Sequence, residues 1–67
     1  MNPVLEFVVF CVEEYKYATK SNGREVMFLF NKYGVIDYIR QFYGALHTTS
    51  PDYIVGDINA YIAKRSA

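Results

Sequence analysis

The stretch Leu46-His47-Thr48-Thr49-Ser50-Pro51-Asp52-Tyr53-Ile54-Val55-Gly56-Asp57-Ile58-Asn59-Ala60-Tyr61-Ile62 constrains the fold more than any other. It holds a helix end, a polar turn, a helix start and an amphipathic stripe, in that order. Thr49 or Ser50 can cap a helix that opens at Pro51, where a missing N–H costs nothing, with Asp52 behind it. Ile54, Val55, Ile58, Tyr61 and Ile62 then make one helical face, and Gly56, Asp57, Asn59, Ala60 and Ala63 the other. Lys64 and Arg65 close the segment with the charge that suits the negative pole of a helix. Gly56 weakens it by about 0.5–1 kcal/mol relative to Ala; the alternative is a break there, with Asp57 capping a shorter final helix.

Three further segments read as helices. The first spans about Pro3 to Thr19, capped by Asn2, with Val4, Val8, Cys11, Val12 and Tyr15 at helical spacing. Leu5, Phe7, Val9 and Phe10 fill its remaining faces. A helix apolar nearly all round is either central to its fold or pressed against a second partner. The second opens on Asn22-Gly23-Arg24-Glu25, a capping-box arrangement, carries Val26, Leu29, Phe30 and Tyr33, and stops at Gly34. The third spans about Val35 to Leu46, with Ile36, Ile39, Phe42, Tyr43 and Leu46 in register and Asp37 placed to pair with Arg40. Four helices with short connections predict a compact all-α domain over residues 1–67, bundle-like or orthogonal. A β-containing fold would have to recruit Val8–Phe10 or Tyr53–Val55, and Glu6, Glu13 and Glu14 interrupt any alternation near the first of these.

A chain of 67 residues buries only about 60% of the surface that its unfolded form exposes. Yet 52% of the residues are hydrophobic, and seven Tyr and five Phe are among them. More apolar and aromatic surface is present than one small core easily encloses. Tyr is enriched at protein interfaces, so a surplus of it points to a partner. Leu5, Val9 and Phe10, with Tyr17 and Tyr38 at the rim, are the candidate interface, and a homodimer is the expected assembly.

Seven basic residues balance seven acidic ones. Nucleic acid and anionic membranes are therefore not expected partners, since both draw on a positive field. The segments around Gly34 also read as a helix-turn-helix, but the second offers only Asp37, Arg40 and Gln41 between Tyr38 and Tyr43. Val4–Val12 lacks the basic region and cleavage site of a signal peptide, and is far short of the roughly 20 residues of a membrane span. A lone thiol, Cys11, fits a reducing compartment and a buried site, and the expected location is the cytoplasm.

Little here carries chemistry. His47 is the single histidine, and with Tyr43 and Thr48 it forms the candidate polar site. A triad would require a base oriented by a third group and an oxyanion hole. Asp52 is the one nearby candidate to orient it. The structural alternative is that His47 closes the third helix while the hydroxyls cap the fourth. No pair of ligands has zinc-like spacing, the carboxylates form no calcium loop, and the four glycines are too scattered for a phosphate cradle. No catalytic residue, metal or cofactor is expected.

The ordered set Phe10-Cys11-Val12-Glu13-Glu14-Tyr15-Lys16, Gly23-Arg24-Glu25-Val26, Phe28-Leu29-Phe30, Lys32-Tyr33-Gly34-Val35-Ile36-Asp37-Tyr38-Ile39, Ala45-Leu46-His47-Thr48 and Tyr53-Ile54-Val55-Gly56-Asp57-Ile58 resembles the small bacterial proteins grouped as domain of unknown function 3791. The likeness runs from about Leu5 to Lys64, and no single motif in it is diagnostic. Asn22 and Gly56 depart from it: Ser is expected at the first, an acidic residue or another helix former at the second. The resemblance implies no activity. It implies proximity to a gene for an ADP-ribosyltransferase-like protein, and hence an accessory or antitoxin-like role. The expected function is thus a non-enzymatic protein–protein interaction module, with a DNA-binding regulator or a small-ligand site at His47 as alternatives.

Overall fold

The computed structural model describes residues 2–67. Five helices follow one another: α1 (Pro3–Thr19), α2 (Gly23–Tyr33), α3 (Val35–Gln41), α4 (Tyr43–Leu46) and α5 (Pro51–Ser66). Among the described residues there is no strand, so the all-α expectation holds.

Local side-chain chemistry sets most of the helix ends. The Asn2 carboxamide oxygen accepts from the backbone N–H of Val4 at 2.9 Å, ahead of Pro3. Asn22 and Glu25 form the reciprocal capping box, Glu25 N–H donating to Asn22 Oδ1 at 2.8 Å and Asn22 N–H to Glu25 Oε1 at 3.0 Å. Ser50 Oγ accepts from Tyr53 N–H at 3.2 Å in front of Pro51. Gly34 ends α2 with a left-handed backbone, φ 67°, and the next residue begins α3.

α1 ends differently from a glycine stop. Lys20 takes the left-handed conformation at φ 55°, and Ser21 N–H returns to Lys16 O at 3.1 Å. That is a Schellman closure with a side chain where glycine is favoured. Nothing in the residue type Lys announces it.

The core forms where α1, α2, α3 and α5 meet. Val8, Cys11 and Tyr15 of α1, Val26 and Phe30 of α2, Val35 and Ile39 of α3, and Ile54, Ile58 and Ile62 of α5 are buried together. The α5 residues recur every four positions, so one line of Ile side chains faces the other helices. Val12, Leu29, Tyr33, Ile36, Val55 and Tyr61 roof the cluster, half-buried.

Two expectations are corrected, and the alternative of a break at Gly56 falls. The third segment is not one helix to Leu46. Phe42, at φ −105° and ψ 20°, leaves helical geometry and divides it into α3 and α4. Gly44 lies just beyond, where helix propensity is low, and the bend sets the Tyr43 ring edge-on to Phe7 of α1 at 5.4 Å. It also turns Phe42 outward and leaves Val35 to fill the core. Asp37 and Arg40 form no ion pair; among the described residues the pair that does form joins Glu13 and Lys16 at 3.2 Å. Finally, α5 runs unbroken through Gly56, since Ile54 and Ile58 on either side are both held in the core.

The two left-handed positions give opposite expectations. Lys20→Gly removes the Cβ penalty and stabilises the fold by about 0.5–1 kcal/mol, whereas Gly34→Ala introduces it and costs about 1–2 kcal/mol. Urea midpoints of the two variants check both signs.

Candidate functional site

α1 presents two faces. One, through Val8, Cys11 and Tyr15, enters the core. The other leaves Leu5, Val9, Phe10 and Tyr17 at 60, 56, 41 and 75% exposed. At about 100° per residue, Leu5 and Val9 lie on one flank of this outward arc, and Phe10 and Tyr17 on the other. Glu6 and Glu13 fall between them. The face is therefore an apolar pair and an aromatic pair divided by an acidic strip. The Phe10 ring stacks on Phe7 with centroids 6.1 Å apart, which anchors one edge of the face to the half-buried layer below.

Tyr38, expected at the rim of the same interface, belongs to another feature. Its hydroxyl donates to Asp57 Oδ2 of α5 at 2.5 Å, and its ring stacks on Tyr61 with centroids 4.0 Å apart. The Arg65 guanidinium lies 3.5 Å above the other partner of that stack, Tyr61. An open groove of about 370 Å³ follows this line between α3 and α5, with Gln41, Phe42, Ala60 and Lys64 completing its walls. Sequence reasoning missed the groove. The i, i+4 pairs Tyr38/Phe42 and Tyr61/Arg65 are legible in the chain, but the packing of α3 on α5 that joins them is not.

Burial, then the Asp57 hydrogen bond and negative charge, push the Tyr38 phenol up to about 12. Asp57 thus keeps a protonated donor against it at any ordinary pH. Burial likewise pushes the Cys11 thiol up to about 12, and the residue is fully enclosed, which makes it an inert core side chain.

The structure does bring Tyr43, His47 and Thr48 together. The His47 and Tyr43 rings stack at 4.3 Å and 9°. His47 Nδ1 lies 2.7 Å from Tyr43 O, so Nδ1 carries the proton and donates. Thr48 Oγ1 donates to Ala45 O at 3.2 Å and Thr49 Oγ1 to Leu46 O at 2.7 Å. All of these bonds close the end of α4. The bond that would orient His47 through Asp52 is not among them. Among the described residues no group of His, Cys, Asp and Glu is placed to hold a metal, and no helix is long and apolar enough to cross a membrane.

Tyr38→Phe removes the bond to Asp57 and lowers stability at neutral pH by about 0.5–1.5 kcal/mol. It also changes the alkaline limb. A phenol whose folded pKa is raised above 10 holds its proton more tightly when folded, so its stabilisation is complete below pH 10 and lost as pH rises toward about 12. Urea melts between pH 9 and 12 should fall less steeply for Tyr38→Phe than for the parent chain.

Comparisons with curated proteins and with solved structures return no match. A family model described as a protein of unknown function (DUF3791) matches residues 6–65. That range takes in the α3–α5 groove and, apart from Leu5, the outward face of α1, and the chain belongs to this family.

Proposed function

We propose that the protein is a non-enzymatic interaction module whose α1 face is covered by another protein surface, first of all that of a second copy. The observation that carries this reading is the exposure of Leu5, Val9, Phe10 and Tyr17 on one helix while its other side fills the core. Apolar side chains scattered singly over a surface are ordinary, but a clustered face marks a contact. Aromatic residues at such a face supply binding energy at low entropic cost. The reducing interior of a bacterial cell is the setting that the lone buried thiol and the family suggest.

Two other readings are weaker. A small-ligand site at His47 has less to offer, since His47 Nδ1 and Thr48 Oγ1 already donate to backbone carbonyls and leave Nε2 as the free nitrogen of the ring. Duplex DNA would need a basic reading helix. α3 spans seven residues, joins α2 through Gly34 alone, and exposes Asp37 beside Arg40 in a chain of zero net charge.

Val9→Glu places a third carboxylate beside Glu6 and Glu13 without touching the core. The variant should fold as the parent does and be monomeric where the parent is a dimer, its dissociation constant raised about tenfold or more. Light scattering over a concentration series checks this. A parent chain that stays monomeric throughout would sink self-association, and a Val9→Glu variant that still associates would move the interface off α1.

A further inference from the structure

We propose that the α1 face of one copy seats in the α3–α5 groove of a second copy, with Glu6 meeting Lys64 and Arg65 and Phe10 lying against Phe42. This rests on the reading of α1 as an interaction face and names what covers it.

The charges of the two surfaces are opposite. The groove carries Lys64 and Arg65 against a single carboxylate, Asp57, which already accepts the Tyr38 hydroxyl. Neither cation is ion-paired among the described residues. On α1 the acidic strip is Glu6 and Glu13; Glu13 is paired with Lys16, and Glu6 has no such partner among the described residues. A chain neutral overall therefore holds an unpaired acid on one surface and two unpaired cations on the other.

The kinds of group on the two surfaces also correspond. Glu6 and Phe10 are four residues apart, so a carboxylate and a ring sit side by side one turn apart on α1. In the groove, Arg65 lies over Tyr61 at one end of an aromatic wall that continues through Tyr38 to Phe42, and Lys64 lines the same groove. Phe42 is turned outward by the bend between α3 and α4 and is 44% exposed. An open groove covers one side of its occupant. That suits a helix face better than a small ligand, which a pocket usually encloses over about 70–90% of its surface.

Symmetric pairing of α1 on α1 is the less favourable geometry, because it brings the Glu6/Glu13 strip toward its own copy. Exchange of α1 for groove avoids this. Two copies can make the contact twice in a closed pair, or once per copy in a ring.

A charge swap tests the assignment. Glu6→Lys and Lys64→Glu, both at exposed positions, are each expected to weaken association about tenfold. The chain carrying both changes should return to within about threefold of the parent, as coupled sites do. So should an equimolar mixture of the two single variants. Sedimentation gives the dissociation constants, and circular dichroism confirms the folds.

A Lys64→Glu variant that associates like the parent, while Val9→Glu does not, overturns the groove assignment and leaves the α1 reading standing. A double variant no stronger than either single one also overturns it. A monomeric parent overturns both. If a reversal unfolds the chain, Glu6→Gln and Lys64→Gln replace it. The pair should then cost no more than the larger single loss, and additive losses would refute the contact.

Discussion

Tyr15 holds three helices with one side chain. Its ring meets Phe30 of α2 edge-on at 5.3 Å, and its hydroxyl donates to Asn59 Oδ1 of α5 at 2.6 Å. Its backbone carbonyl accepts from Thr19 Oγ1 at 2.8 Å, near the point where α1 must end. Phe30 in turn is fully buried and lies among the core side chains of every long helix. Asn59, itself exposed, takes the hydroxyl at the edge of the core, where the ring is buried and the polar end is paired; a buried hydroxyl left unpaired costs about 1–3 kcal/mol. Among the described residues no buried side-chain nitrogen or oxygen lacks a partner.

The same economy explains the outer face of α1. Four helices around a single Phe can enclose one face of each, and α1 is apolar on more than one. Val8, Cys11 and Tyr15 use up the inward arc, so Leu5, Val9 and Phe10 are left over. Among the described residues no other element covers them. The aromatic surplus is handled differently at the α3–α5 edge, where Tyr38, Tyr61 and Arg65 stack on one another and Asp57 takes the phenol proton as a hydrogen bond. There the side chains cover each other and leave charge at the rim.

These two surfaces give the molecule its functional character as we read it. Among the described residues neither brings together a nucleophile, a base and a group to orient the base. On the proposed reading both serve recognition: one offers apolar and aromatic side chains around acids, the other rings beside cations. The bend at Phe42 matters to both, because it presses Tyr43 against Phe7 beneath the α1 face and turns Phe42 into the groove wall.

The sequence by itself determined the helices and most of their ends. Asn2, Pro3, the Asn22/Glu25 box, Gly34, Ser50 and Pro51 act through bonds to residues at most a few positions away, so their effect is readable without a fold. The inward faces followed from periodicity for the same reason, with Ile54, Ile58 and Ile62 the plainest case. Lys20 was not legible, because its left-handed backbone is imposed by the Schellman closure and not preferred by its side chain. Nor was the bend at Phe42 or the continuity of α5 through Gly56, where packing against distant residues outweighs a local propensity of under about 1 kcal/mol. The groove lay furthest from view: its rings and charges come from positions 38–42 and 57–65, and only the docking of α3 on α5 places them side by side.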